Sequence, residues 1–324
     1  MQYPFATIRD ASTGHGRGLA PRSGPACALQ EPGSGRTCTG AAAAHTDRGS
    51  GGRIVTRRSG RLAACAVLLM MAVTAARAEL SSEELAKIAQ NPLGNIVSLP
   101  FQNNANLNYG PLKGTLNILN IQPVIPFEVN QEWNIITRTI LPVIAMPALS
   151  SGIPSQSGVG DTTLAAWLSP ARKEGWIWGL GPTLQAPTHS EKELGNGNWG
   201  LGPSAILVHL DKQSPWVFGI LVNNVWSLSS DGHGGSYSHG VIQPGINYNF
   251  SDGLYLTSSP IITVDWRAES SQRWTIPVGG GIGKIVHLGR LPLNLQLSGY
   301  YSAVRPDFAS NWEIRAQMQF MFPK

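Results

Sequence analysis

From residue 95 to the end, apolar and polar residues trade places along the chain. The last stretch is the clearest: Trp312, Ile314, Ala316, Met318, Phe320 and Phe322 fall on one parity, and Asn311, Glu313, Arg315, Gln317 and Gln319 on the other. A period of two is that of an extended strand with one face in an apolar medium and the other in a polar one. The same alternation sets Leu291, Leu293, Leu295 and Leu297 against Asn294, Gln296 and Ser298, and Ile262, Val264 and Trp266 against Thr263, Asp265 and Arg267. It also sets Ile242, Ile246, Tyr248 and Phe250 against Gln243, Asn247 and Asn249. Twelve strand segments are predicted, at 95–103, 115–129, 132–143, 161–170, 175–186, 199–211, 215–228, 238–250, 254–267, 273–288, 291–303 and 311–322. One short helix precedes them over 81–94, with Ser81 or Ser82 as its cap, Glu84 in its first turn, and Pro92 with Gly94 ending it.

A soluble sandwich would also alternate, so the choice of medium rests on other features. Several segments are far longer than the roughly five to six residues of an average strand, and match the ~9–11 tilted residues that cross a bilayer plus a rim. Trp133, Trp176, Trp178, Trp199, Trp216, Trp226, Trp266, Trp274, Tyr300, Tyr301 and Trp312 lie near segment ends, as aromatic girdles at two membrane interfaces would. The linkers alternate, with 104–114, 144–160, 187–198 and 229–237 long, 268–272 and 304–310 intermediate, and 130–131, 171–174, 212–214, 251–253 and 289–290 short. A lipid-spanning sheet must close, because an open edge leaves unpaired backbone groups in hydrocarbon. The expected fold is therefore all-β: a closed antiparallel transmembrane β-barrel of twelve strands with a short N-terminal helix, both termini on the periplasmic side.

Two features strain this picture. Pro123, Pro126, Pro142, Pro182, Pro203, Pro244, Pro260, Pro277 and Pro292 interrupt the strands, and each removes a ladder donor. The run Gly279-Gly280-Gly281 has the composition of a bulge.

Composition separates the chain into unlike parts. Ten of the 24 basic residues, three of the 19 acidic ones and all three cysteines precede Glu79, so the formal +5 becomes −2 for the remainder. The basic pI thus gives no reason to expect a nucleic-acid partner. A cysteine-free remainder excludes a structural disulfide, a thiolate zinc site, an iron–sulfur cluster and a cysteine nucleophile. Arg57-Arg58-Ser59-Gly60-Arg61, the apolar run 62–73 and Ala76-Arg77-Ala78 are the three parts of a secretory signal peptide, with cleavage after Ala78. The domain plan is 1–54 as a disordered or non-translated extension, 55–78 as the signal peptide and 79–324 as the barrel, with Val55 or a nearby codon as a candidate start.

The stretches Val97-Ser98-Leu99-Pro100-Phe101-Gln102-Asn103-Asn104, Leu119-Asn120-Ile121-Gln122-Pro123-Val124-Ile125-Pro126, Trp133-Asn134-Ile135-Ile136-Thr137-Arg138 and Leu194-Gly195-Asn196-Gly197-Asn198-Trp199 carry a resemblance, as does the ending Phe320-Met321-Phe322-Pro323-Lys324. Over about residues 83–324 the chain resembles the bacterial outer-membrane proteins of the phenol-degradation MetA-pathway family, sometimes mislabelled neuromedin U. The resemblance implies an outer-membrane barrel that passes small, hydrophobic or aromatic compounds. It supplies no catalytic residues, and residues 1–54 have no counterpart in it.

Charged and polar residues on the inner parity are the candidates for lining a lumen: Glu132, Asn134 and Arg138, Asp265 and Arg267, and Glu313 and Arg315. A charge on the lipid face would cost ~2–4 kcal/mol at midplane for Arg or Lys. Such residues either shape permeation or hold the barrel by internal ion pairs. His233 and His239 flank a Gly/Ser-rich stretch, but no HExxH, GxSxG or phosphate-binding fingerprint accompanies them, and no metal, cofactor or catalytic residue is expected. The expected function is a channel for a small-molecule solute. The alternatives are a barrel hydrolase acting on lipid through Ser236 and His239, and a structural barrel without transport. Expected partners are outer-membrane lipid and lipopolysaccharide, periplasmic chaperones and the barrel assembly machinery.

Overall fold

The computed structural model describes residues 80–322 apart from Lys173. The expected extension and signal peptide lie outside the described residues. The short helix α1, Ser82–Ala89, comes first. Its N-cap Ser81 and its Glu84 bond each other's backbone N–H reciprocally. Those bonds, led by the Ser81 backbone N–H, hold the Glu84 carboxyl below its ordinary range.

Fifteen strand segments follow: β1 Val97–Tyr109, β2 Gly114–Ile121, β3 Val124–Glu128, β4 Trp133–Met146, β5 Gln156–Val159, β6 Thr162–Pro170, β7 Gly175–Ala186, β8 Gly200–Leu210, β9 Trp216–Ser227, β10 Ser238–Asn249, β11 Leu254–Ser258, β12 Ile262–Asp265, β13 Trp274–Leu288, β14 Leu291–Val304 and β15 Trp312–Phe322. Three neighbouring pairs, β2 with β3, β5 with β6 and β11 with β12, are single broken strands, because both members bridge the same neighbour. The result is a closed antiparallel barrel of twelve strands. Closure is made where β15 pairs β1 from Val97 opposite Phe322 to Leu107 opposite Trp312.

Two of the breaks answer the proline problem. Pro123 falls between β2 and β3, and Pro260 between β11 and β12. A break frees backbone groups that must be satisfied elsewhere. At Ser259 the N–H donates to the Tyr300 hydroxyl at 3.1 Å, and the carbonyl accepts from Arg315 Nη1 at 2.8 Å. Side chains of β14 and β15 thus replace the ladder that Pro260 interrupts. Pro182 and Pro203 face each other across β7 and β8, where neither demands a donor from the other.

The glycine run does not form a bulge. Gly279, Gly280 and Gly281 pair in register with Tyr300, Gly299 and Ser298, and the irregularity lies between Ile276 and Pro277. The run serves close approach instead: a Cβ on Gly281 would collide with the Leu297 carbonyl oxygen.

The first linker also differs from expectation. Strand β1 runs on to Tyr109, so the long linker at 104–114 shrinks to 110–113. Asn103, Asn104, Asn106 and Asn108 have turn composition, yet Asn104 and Asn106 are buried on the inner parity of a strand. The remaining connections at that rim, 147–155, 187–199, 228–237, 266–273 and 305–311, are longer than 129–132, 171–174, 211–215, 250–253 and 289–290 at the rim that carries both ends of the barrel sheet.

Inner and outer faces separate as the alternation requires. On β15, Trp312 and Ile314 are each 48% exposed and Arg315 only 2%. Aromatic pairs ring the outer face near both rims: Trp133 with Trp178 and Trp216 with Tyr248 at one, Trp266 with Trp274 and Tyr301 with Trp312 at the other. Such an apolar band between two aromatic girdles is the exterior of an outer-membrane barrel.

Gly283 exemplifies how glycine makes room inside. It lies opposite Tyr255, and a Cβ there would strike the Tyr255 ring. That ring's hydroxyl donates to Asn294 Oδ1 at 2.8 Å. Gly283→Ala is expected to lower folding stability by ~1–3 kcal/mol through overpacking. Gly299→Ala, where a Cβ meets nothing within 4 Å, serves as the control. Equal urea midpoints for the two variants in lipid vesicles would refute this account.

Candidate functional site

The interior is the candidate site, and the N-terminal segment enters it first. Leu85 and Ala86 of α1 pack with Ile96 against Tyr255, Ile285 and Met321. Lys87 donates to the Lys212 carbonyl at 2.8 Å and pairs with Glu83 at 2.9 Å, while the Gln90 and Asn249 amides bond each other. Beyond the helix, Leu93 lodges among Ile136, Trp167, Ile177, Ile206, Val208 and Val217. The segment therefore fills part of the barrel at the rim where the sheet begins and ends.

That packing reveals two unlike walls. On β4 and β6 to β9 the inner positions are largely apolar. On β1, β2, β14 and β15 they include a set of buried amides, Gln102, Asn104, Asn106, Asn120, Asn294 and Gln319, beside the Glu313–Arg315 pair.

Two cavities occupy the space between the walls. The lower, about 190 Å³, is bounded by Asn91 and Pro92 of the N-terminal segment and by Arg315, Gln317 and Gln319. The upper, about 90 Å³, is bounded by Asn120, Trp167, Thr183, Val225 and His239. Gln122, Arg138, Leu221 and Gln243 border both, and form a waist of side chains from four strands or strand ends.

The candidate residues fall in different places. Arg138 stands at the waist, where its Nε donates to Gln122 Oε1 at 3.1 Å and its Nη2 donates to the same oxygen. Arg315 lines the lower cavity, with Nε donating to Glu313 Oε1 at 2.9 Å. Its Nη2 lies 2.8 Å from that oxygen, too poorly aligned for a hydrogen bond, so charge holds this contact. The guanidinium carbon stands 4.6 Å from the centroid of the Tyr300 ring. Asn134 is buried near the start of β4. Asp265 lies 4.0 Å from His239 Nε2, and accepts from the Arg267 N–H at 3.0 Å. Glu132 belongs to the turn before β4 and Arg267 to the loop after β12, and both are exposed. The barrel thus joins Glu313 to Arg315 and Asp265 to His239, and leaves Arg138 apart from both pairs.

Neutral amides are what a search for charge overlooks. Gln122, Asn120 and Gln243 line the cavities, and their only signal is their inner parity on alternating strands. A second polar cluster ties the upper loops: buried Asp161 accepts from His189 Nδ1 at 2.6 Å and from the Asn196 N–H at 2.8 Å. His233 bonds the Gly195 carbonyl at 2.9 Å and meets the His189 ring edge to face. Tyr237 lies nearby, its hydroxyl pushed up by burial and secondarily by Asp161. Among the described residues, no group of three His, Cys, Asp or Glu is arranged to hold a metal ion.

Residues 102–253 match the family model described as "Putative MetA-pathway of phenol degradation". The matched stretch runs from within β1 to the turn before β11. Among solved structures, an outer membrane channel from Pseudomonas putida F1 superimposes with a TM-score of 0.52 at 17% identity, over 70% of this chain and 94% of that one. That likeness shows the shared barrel fold. The calcium-bound outer membrane phospholipase dimer of Salmonella typhi gives a TM-score of 0.38 at 12% identity, over 76% of this chain and 99% of that one. A Pseudomonas aeruginosa FadL homologue gives 0.37 at 8%, over 70% and 89%. No curated protein matches the chain.

Proposed function

We propose that the barrel is an outer-membrane channel through which small, partly hydrophobic solutes pass, with both termini in the periplasm. The observation that carries this reading is the pair of cavities that meet at Gln122, Arg138, Leu221 and Gln243. The waist between the cavities is made of side chains, which can open by rotamer changes without rearrangement of the backbone. One apolar and one amide-lined wall suit a solute with an apolar body and a polar head. The short turns and the N-terminal segment share a rim, the arrangement of periplasmic turns in such barrels.

A lipid hydrolase would need its nucleophile and base at the lipid face. His239 instead lines the upper cavity beside Asp265, which favours the channel over the hydrolase. Periplasmic chaperones and the assembly machinery would deliver the chain to the membrane, and lipopolysaccharide would surround its outer girdle.

The test is swelling of liposomes that contain the folded barrel. Swelling in small neutral and singly charged organic solutes, falling steeply with solute width, is expected. Liposomes that stay impermeable to every solute would overturn the channel.

A further inference from the structure

We infer that the upper cavity is a binding station for small organic monoanions, with Arg138 holding the anionic head and the apolar wall holding the body. The inference rests on the channel reading and names its solute class.

Charge accounting inside the barrel comes first. Arg315 is matched by Glu313, His239 faces Asp265, and Asp161 is held by His189 near the long-loop rim. Among the described residues Arg138 has no carboxylate partner, and its bonds go to the neutral oxygen of Gln122. Asp265 lies opposite His239, four residues along β10 from Gln243 at the waist. At ~3.3 Å per residue that places Asp265 roughly 13 Å along the strand from the level of Gln243. Arg138 is the only charged residue among those that border both cavities.

Register supplies the second observation. Arg138 on β4 is opposite Ala165 on β6, and Ala165 is opposite Thr183 on β7. The three share one row of the inner face, with the small Ala165 between the two polar residues. Thr183 is 2% exposed and Asn120 1%, yet Thr183 Oγ1 and Asn120 Nδ2 have no hydrogen-bond partner. Both residues line the same cavity. A buried donor without a partner costs stability unless a ligand or water completes it. An incoming carboxylate can accept from Arg138 and Thr183 over the gap that Ala165 leaves, roughly two strand spacings or ~10 Å.

The third observation is what surrounds these donors. Ile140, Trp167, Leu221, Val225 and Val241 line the same cavity. They would bury a short alkyl chain or a single ring, and they offer nothing to a second charge. A simple inorganic anion would leave that wall uncovered, and a dianion would have only one cation to meet.

Titration calorimetry on the full folded barrel in detergent tests the inference, with benzoate and hexanoate compared against benzamide and hexanamide. The acids are expected to bind at least about tenfold more tightly than the amides, the scale of one charge-assisted hydrogen bond. Arg138→Gln should bring acids and amides to parity, and Arg138→Lys should keep the acids ahead. Heat-modifiable electrophoretic mobility reports that each variant is folded. Should Arg138→Gln fail to fold, Ala165→Phe, which fills the row between Arg138 and Thr183, should abolish acid binding. Equal affinities for acids and amides in the wild type, acid preference surviving Arg138→Gln, or acid binding surviving Ala165→Phe would each overturn the inference. Solute flux in liposomes without acid preference defeats this inference alone. Acid preference with no flux of any solute defeats the channel reading alone.

Discussion

Removing residues 80–95, ahead of β1, is expected to raise single-channel conductance several-fold in planar bilayers. Those residues occupy the lower part of the lumen. Leu85 and Ala86 are packed against Tyr255, Ile285 and Met321, and Leu93 sits among Ile136, Trp167 and Ile177. The barrel should survive the loss, because its closure is made by the β1–β15 ladder from Val97 onward. Stability should fall by a few kcal/mol, since each buried leucine contributes ~1.5–3 kcal/mol. A subtler variant separates plugging from folding: Leu93→Asp places a charge in an apolar pocket, and should release the segment while α1 keeps its Ser81 cap. Truncated barrels that conduct like the full chain would show that the waist alone limits passage, and would remove the plug from the mechanism.

Glu313→Ala should be the most destabilising single change in the lumen. Arg315 is 2% exposed and lies between the Glu313 carboxylate, the Ser259 carbonyl and the Tyr300 ring. Deleting one member of a buried pair strands the other charge, at a typical cost of ~3–5 kcal/mol. The double variant Glu313→Gln with Arg315→Gln should recover most of that loss. Recovery would be incomplete, because Arg315 also satisfies the carbonyl that Pro260 frees. Urea unfolding in lipid vesicles measures both quantities. If Glu313→Ala unfolds like the wild type, the pair has no part in holding β15 to the broken β11–β12 strand, and Ser259 with Tyr300 suffices.

The two arginines show how far inner parity can be read. Parity on β4 and β15 places Arg138 and Arg315 alike on the inner face, Arg138 between Ile136 and Ile140 and Arg315 between Glu313 and Gln317. Their surroundings differ because their strands meet different partners. On β15 the neighbour two positions before Arg315 is a carboxylate, so a local ion pair forms. Arg138 finds Gln122, a residue on the far side of a turn, and the register of β3 on β4 brings them together. Asn104 and Asn106 erred the other way: asparagine composition reads as a loop, and only pairing with β15 and β2 holds them in a strand. Inside the barrel Asn104 accepts from Gln102 and Asn106 donates to the Leu116 carbonyl, which offsets the usual penalty for asparagine in a strand.

Local alternation, strand length and aromatic placement determined by themselves that this chain is a closed antiparallel barrel in an apolar medium. They could do so because a period of two and an unpairable edge admit few other solutions. What the tertiary structure alone decided is the interior: the entry of Leu93, the two unlike walls and the waist. Those depend on which residues far apart in the chain reach one level of the barrel. That level is set by the stagger between strands when the sheet closes, and stagger leaves no mark on the pattern of any single strand.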